Sequence, residues 1–439
     1  MTHDITGPAS RRAFLGLLGG GAALAAVRPV AARAQVATRA RIVILGAGAA
    51  GAAMANRLAG RLEGAAITVI DGRARHLYQP GFTLIGAGLK PASYSVSATT
   101  DWLPRGVTFI AEAAAGIDPV AQRVTTAGGQ AVDYDFLILA TGLSLDWGGI
   151  EGFSPDLIGR DGIGAHYAGP EEAAATWREM DRFTARGGRA VIFRPETEMK
   201  CAGAPLKYAF LTEDEAARKG TRKGVEIAYF APQKALFGVP IVAEKVRMLF
   251  ESRGIRATLE RTAKAIDPGR KIVTFEDADG IAHEEPYDFV NVIPPQRAPE
   301  VVRQSGLSWE TKWQDQGWAE VDQTTLRHLR FPNVFAVGDI AGVPKGKTAA
   351  SVKWQVPVVE DHLVADLGGP KATQGYDGYT SCPLITRVGR AMLIEFDYRN
   401  NLVPSFPGMI APLEELWISW LMKEVALKAT YNAMLRGRA

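Results

Sequence analysis

Short runs of consecutive apolar residues, each closed by glycine or a polar turn, recur along the chain, which is the pattern of parallel strands buried on both faces. The first is Arg41-Ile42-Val43-Ile44-Leu45. Gly46-Ala47-Gly48-Ala49-Ala50-Gly51 follows it directly and opens an alanine-rich stretch that predicts a helix to about Gly60. Ala66-Ile67-Thr68-Val69-Ile70 predicts the next strand, ending on Asp71. Comparable runs lie at 136–139 before Ala140-Thr141-Gly142, at 190–193, at 225–230, and at 334–337 before Gly338-Asp339. Strands alternating with helices at this spacing predict an α/β chain with two doubly wound, Rossmann-like sheets.

Two glycine- and proline-rich stretches, 148–170 and Ile293-Pro294-Pro295-Gln296, read as crossovers. They divide the chain into a dinucleotide-binding first segment (35–150), a second Rossmann-like domain (151–297), a return of the first domain (298–411) and a C-terminal helical segment (412–439). In that last segment Leu413, Leu416, Trp417, Trp420 and Leu421 fall on one helical face, and Lys423, Lys428, Arg436 and Arg438 supply positive charge. The same pattern suits an amphipathic helix packed on the body or one lying in a membrane interface. Beyond the first 34 residues no apolar run approaches the ~18 residues of a membrane-spanning helix.

Composition narrows the classes. With 47% hydrophobic and 22% charged residues in 439, the chain is neither disordered nor a bundle of membrane spans. The net charge of +3 resides in the first 34 residues, where Arg11, Arg12, Arg28 and Arg33 face only Asp4. The remainder is balanced, which argues against nucleic acid as a partner. Those 34 residues combine Ser10-Arg11-Arg12-Ala13-Phe14-Leu15, an apolar run to Val27 and Ala32-Arg33-Ala34. This resembles a twin-arginine export signal, and implies a periplasmic, disulfide-permissive destination for a chain folded around its cofactor.

The Gly46-x-Gly48-x-x-Gly51 loop gains meaning from its place after a strand, before a helix, and twenty residues ahead of Asp71. Glycine lets the backbone approach a pyrophosphate at the helix N-terminus, and Asp71 is the expected acceptor for a ribose hydroxyl. Thr141-Gly142 and Gly338-Asp339 resemble the two further FAD signatures of flavin-dependent disulfide reductases, which places Asp339 at the ribityl chain and Lys347 and Thr348 beside the isoalloxazine. In that superfamily a second glycine loop binds NAD(P)H. Here the strand at 190–193 runs instead into Arg194-Pro195-Glu196-Thr197-Glu198-Met199-Lys200-Cys201. Electrons are therefore expected from a donor other than NAD(P)H.

Cys201 and Cys382 are the only cysteines. In an exported chain they are expected to pair, and a purely structural bridge closing about 180 residues stabilises by about 5 kcal/mol in the chain-entropy model. A redox pair is the competing reading, because Cys201 stands where the nicotinamide-binding turn would lie. Lys200 beside it is either a solvated surface lysine or a charge that favours the thiolate. The six histidines show no metal-ligand spacing, and no Cys-x-x-Cys-His haem motif occurs, so no metal or resident haem is expected.

Longer strings carry a family resemblance. Tyr78-Gln79-Pro80, Lys200-Cys201-Ala202-Gly203-Ala204-Pro205, Phe237-Gly238-Val239, Gly346-Lys347-Thr348-Ala349-Ala350 and Tyr376-Asp377-Gly378-Tyr379-Thr380-Ser381-Cys382-Pro383-Leu384 resemble sulfide:quinone oxidoreductases of the mitochondrial type. Glu395-Phe396-Asp397-Tyr398, Leu421-Met422-Lys423 and Met434-Leu435-Arg436-Gly437 continue the match to the end of the chain. The resemblance implies bound FAD, with Gln79 among its contacts, and a Cys201–Cys382 redox disulfide opened by sulfide at Cys382. It further implies a thiol, sulfite or sulfide as sulfur acceptor, and membrane quinone as electron acceptor at the C-terminal helix. Two departures stand out. The export signal resembles the flavoprotein subunit of flavocytochrome c sulfide dehydrogenase, whose electrons pass to cytochrome c, and the third cysteine of many bacterial sulfide:quinone oxidoreductases is missing, as in the mitochondrial type.

Overall fold

The structure, a computed structural model, describes residues 35–438. The export signal assigned to residues 1–34 lies outside them.

The first sheet has five parallel strands in the order Val334–Ala336, Phe136–Leu139, Arg41–Leu45, Ala66–Ile70 and Thr108–Ile110. Ile42, Val43, Ile44 and Leu45 are buried because helix Ala49–Arg61 and the three-stranded antiparallel sheet that includes Ala131–Asp133 both pack on this central strand, which explains its unbroken apolar run. The chain starts in the middle of the sheet and leaves it first to one side and then to the other. That reversal opens a crevice at the carboxyl ends of Arg41–Leu45 and Phe136–Leu139. Helix Ala49–Arg61 leads out of the crevice and packs on helix Ala349–Asp366, where buried Glu360 accepts hydrogen bonds from Arg57 and pairs with Arg61 at 3.1 Å.

The second sheet is also five-stranded and parallel, in the order Ile163–Gly164, Phe289–Asn291, Gly188–Phe193, Val225–Ala231 and Ile255–Leu259. The doubly wound α/β expectation therefore holds for both halves. Helix Ala204–Arg218 follows the central strand of this sheet, and a hairpin, Thr380–Arg387 with Arg390–Phe396, packs against that helix. Cys382, Leu384, Met392 and Ile394 of the hairpin join the apolar cluster that includes Leu206 and Phe210 of the helix. Through this packing a residue near the end of the chain reaches the start of a helix near its middle.

The C-terminal segment departs from the expected single face. Its helix starts at Trp417, and Leu416 instead exchanges backbone hydrogen bonds with Ala391 of the hairpin at 3.0 and 3.2 Å. One π-helical turn, Met422–Ala426, follows before Leu427–Leu435. The Leu/Trp stripe is thereby split: Trp420 is buried, Trp417 is 40% exposed, and Lys423, counted among the outward charges, is only 3% exposed. Among the described residues no helix is long and apolar enough to cross a membrane.

Candidate active site

A deep cleft opens at the crevice of the first sheet. Gly46 has φ +101°, and a Cβ there would stand 2.4 Å from the Ala140 carbonyl oxygen. A Cβ on Gly51 would come within 1.7 Å of the Gly46 oxygen. These two glycines serve close backbone packing and do not line the cleft. Gly48, the N-cap of helix Ala49–Arg61, lines it with Ala49 and Ala50, and its nearest neighbour for an added Cβ is 3.8 Å away. A helix start with free amides and an open face suits a pyrophosphate. Replacing Gly51 by valine is expected to leave purified protein without visible flavin absorbance, because the added atoms overlap backbone that cannot move aside.

Asp71 also lines the cleft, but its carboxylate is engaged. It accepts from the Ala47 amide at 2.6 Å and from the Arg73 guanidinium at 2.7 and 3.0 Å. Burial pushes its pKa up, and the Arg73 contacts together with the Ala47 amide hold it below the usual carboxylate range. A ribose hydroxyl would share this carboxylate with Arg73, a partner that the spacing argument does not reveal.

Across the cleft, Thr141 and Gly142 end one strand, and the Thr141 hydroxyl is buried with no partner among the described residues. Gly338 and Asp339 end the neighbouring strand, with the Gly338 amide donating to Gln355 Oε1 at 2.7 Å. Asp339 is pushed up by burial, against the pull of Lys347 and Lys200. Lys347 Nζ donates to the Asp339 carbonyl at 2.6 Å and lies 3.7 Å from the Trp318 ring centroid, so burial pulls it down to about 8. Thr348 caps helix Ala349–Asp366 by accepting from the Ser351 amide at 3.1 Å, which aims the start of this helix into the cleft. Two helix N-termini, an orphaned hydroxyl and a glycine-walled floor fit the phosphates, ribityl chain and ring of FAD.

Cys201 arrives from the second sheet. Beyond strand Gly188–Phe193 the chain is tied to the crossover and to the first half: the Lys200 amide donates to Gln296 Oε1 at 2.9 Å in the crossover, and the Glu198 amide to Gln316 Oε1 at 2.8 Å and the Cys201 amide to the Lys347 carbonyl at 2.9 Å in the first half. Cys201 sits in the left-handed region at φ +51° and lines the cleft. Cys382 comes from the hairpin, is 4% exposed, and lies within hydrogen-bonding reach of Cys201. Their approach requires Gly203, where a Cβ would be 2.6 Å from Cys382 Sγ. The two cysteines are free in this structure, and the disulfide expected between them is not formed.

Lys207, on the first turns of helix Ala204–Arg218, places its buried Nζ 3.3 Å from Cys201 Sγ. Burial lowers the ammonium pKa, but the two sulfurs raise it further, and its net direction is up. Cys201 moves down, held by a hydrogen bond from the Cys382 thiol and by Lys207 and Tyr167 against the cost of burial. Cys382 moves up, as donor to Cys201 and by burial. The pair is thus polarised, with thiolate at Cys201 and thiol at Cys382.

Lys200 corrects one expectation. It is no surface lysine, being 8% exposed, and its Nζ donates to Gln79 Oε1 at 2.6 Å beneath the rings of Phe82 and Tyr167. Burial brings it down to about 8. The ammonium on the sulfur belongs to Lys207, whose only sequence signal is one charge inside the apolar stretch Ala204–Leu211. Lys423 was likewise hidden: it enters the cleft from the π turn, donates to the Pro80 carbonyl at 2.6 Å, and is pulled down to about 7 by burial and by Lys207. Lys200, Lys207, Lys347 and Lys423 make the chamber electropositive, suited to hydrosulfide and other small anions.

Comparison with known proteins agrees with this architecture. Residues 40–163 match the family described as pyridine nucleotide-disulphide oxidoreductase. The mouse mitochondrial sulfide:quinone oxidoreductase is 33% identical over 90% of this chain and 86% of its own length. Its counterpart in Dictyostelium discoideum is 30% identical over 91% and 86%. The crystal structure of the sulfide:quinone oxidoreductase from Aquifex aeolicus superposes with a TM-score of 0.74 at 24% identity, covering 91% of this chain and 92% of that one. The chain is an FAD-dependent oxidoreductase. It belongs to the sulfide:quinone oxidoreductase family.

Proposed function

We propose that the protein oxidises sulfide at the Cys201–Cys382 pair and delivers the electrons to membrane quinone. The observation that carries this reading is the polarised cysteine pair opening onto the FAD cleft beneath Lys207. In the oxidised enzyme the two sulfurs form a disulfide. Hydrosulfide attacks Cys382 Sγ, forming a persulfide there, and Cys201 leaves as thiolate, since the sulfur with the lower pKa is the better leaving group. Lys207 holds the departing charge. Bound FAD supplies the two-electron sink. A thiol, sulfite or second sulfide takes the sulfane sulfur from Cys382, and loss of two electrons restores the disulfide. The relatives named above are sulfide:quinone oxidoreductases, which supports quinone as the final acceptor.

In this reading residues 35–150 and 298–411 hold FAD, 151–297 deliver Cys201, and the segment from 412 onward faces the membrane at the periplasmic side. Met409, 83% exposed just ahead of this segment, and Val425, 60% exposed within it, are the apolar contacts with lipid. Changing both to glutamate is expected to weaken recovery on liposomes roughly tenfold, read by flotation, while bleaching of bound flavin by sulfide is unchanged.

The test of the whole reading is an anaerobic titration of the flavin-loaded protein, first with sulfide and then with a soluble quinone. Bleaching of the flavin by sulfide and its recovery with quinone are expected. Recovery with cytochrome c alone would replace quinone as acceptor, and no bleaching would return the cysteines to a structural role.

A further inference from the structure

Three polar groups meet at the dinucleotide loop without a part in the sulfur chemistry. Ala47 is gripped at both ends of its backbone: its amide by Asp71, and its carbonyl by His76, whose Nδ1 lies 3.3 Å from the oxygen. A carbonyl only accepts, so Nδ1 carries the imidazole proton and Nε2 is left as an acceptor. Tyr431 fills that position, its hydroxyl donating to Nε2 at 2.8 Å. His76 is buried and pulled down to about 4 by desolvation, which keeps it in the neutral form that this relay needs.

Tyr431 belongs to the C-terminal helix Leu427–Leu435, far from the loop in sequence. With Lys423 and Leu427 it lines the FAD cleft at intervals of four residues, one face of a helix. Around the relay, Tyr78 packs on the Tyr431 ring at 4.9 Å and Trp102 on the His76 ring at 5.8 Å. The helix ends with Gly437 close over Arg57 of the helix that the dinucleotide loop opens, where a Cβ would stand 3.0 Å from the arginine side chain.

We propose that Tyr431 and His76 are positioning residues for FAD, and that the C-terminal helix is thereby a clasp on the cofactor. The reason is electrostatic. A pyrophosphate is held by backbone amides, and a peptide carbonyl free to turn toward it would repel it. His76 ties the Ala47 carbonyl away from the anion, and Tyr431 fixes the ring in the tautomer and orientation that do so. The proposal rests on FAD occupying this cleft and is independent of the chemistry at the cysteines.

Two readouts on the flavin-loaded protein test it: release of FAD on dilution, followed by flavin fluorescence, and deuterium exchange of the loop amides at residues 46–51. Tyr431→Phe keeps the ring and removes the donor, and is expected to speed release about threefold to tenfold and to raise loop exchange. His76→Gln, with an amide N–H and C=O in place of the ring nitrogens, is expected to stay near wild type, whereas His76→Leu behaves like Tyr431→Phe. Loop exchange decides the matter even where the flavin is covalently held. Unchanged exchange in Tyr431→Phe, or equal behaviour of the Gln and Leu variants, would overturn the clasp. A wild-type protein that carries no flavin would instead overturn the assignment of the cleft.

Discussion

Serine at position 382 is expected to lower sulfide-dependent turnover at least about a thousandfold while leaving the flavin bound. Cys382 lies on the hairpin in an apolar cluster, and Ser381 and Pro383 on either side of it line the dinucleotide cleft, so the exchange of one buried sulfur for oxygen leaves the wall of the cleft in place. It removes the electrophilic sulfur, since no disulfide forms with a hydroxyl. Serine at position 201 is expected to be equally inactive, but the two variants differ in a second measurement. With Cys382 replaced, the serine hydroxyl can take over the hydrogen bond that contributes most to the low pKa of Cys201, Lys207 stays at 3.3 Å, and Cys201 is expected to react with iodoacetamide as a thiolate below the ordinary thiol range. With Cys201 replaced, Cys382 loses the partner that chiefly raises it but stays buried, which still raises its thiol, so it is expected to react more slowly than Cys201 does in the other variant. Wild-type turnover in either variant would show that the pair is a structural bridge.

The second large effect concerns Lys207. Methionine there fills similar volume without the charge, and is expected to reduce turnover about a hundredfold, the usual consequence of losing one donor to a developing anion in a dry site. The sign of the accompanying pH effect follows from the two directions. In the wild type the thiol of Cys201 is lowered and the ammonium of Lys207 is raised, so an ion pair exists across the neutral range. Without the ammonium, the hydrogen bonds from Cys382 and Tyr167 still oppose desolvation of the sulfur, but the Coulombic attraction and the hydrogen bond of Lys207 are lost, and its pKa rises. The acidic limb of the pH–rate profile for flavin bleaching by sulfide therefore moves to higher pH, and alkylation of reduced Cys201 moves with it. Lys207→Arg restores the charge with a bulkier fork and is expected to recover the position of the limb before it recovers the rate. An unmoved acidic limb in Lys207→Met would assign the thiolate to another partner.

How much of this protein is legible in its amino-acid order depends on how far apart the interacting residues lie. The FAD half is nearly complete within single βαβ units. Ile42–Leu45 of the first strand form an unbroken apolar run because both faces are covered, Gly46 and Gly51 stand where any side chain would meet backbone, and Asp71 ends the next strand beside the Ala47 amide. Each of these constraints acts over a few turns of chain, so spacing reveals it. The loss of a second glycine loop was equally plain from Arg194 to Cys201, because an absent motif is also local.

The cysteine chamber obeys a different rule. Both sulfurs are visible as residue types, but their meeting depends on a hairpin docking on helix Ala204–Arg218 and on the space left by Gly203. Lys200, Lys207 and Lys423 are indistinguishable from surface charges until packing decides which are desolvated and which sulfur or carbonyl each one faces. Lys423 shows this best: a helix that starts at Trp417 and widens by one π turn rotates it from the solvent side of the expected stripe into the cleft. The sequence by itself thus determined the fold class, the dinucleotide loop and the presence of the two cysteines. Only the tertiary structure decided their protonation, polarity and closure by the C-terminal helix, because desolvation and Coulomb energy depend on distances in space between residues that the chain keeps far apart.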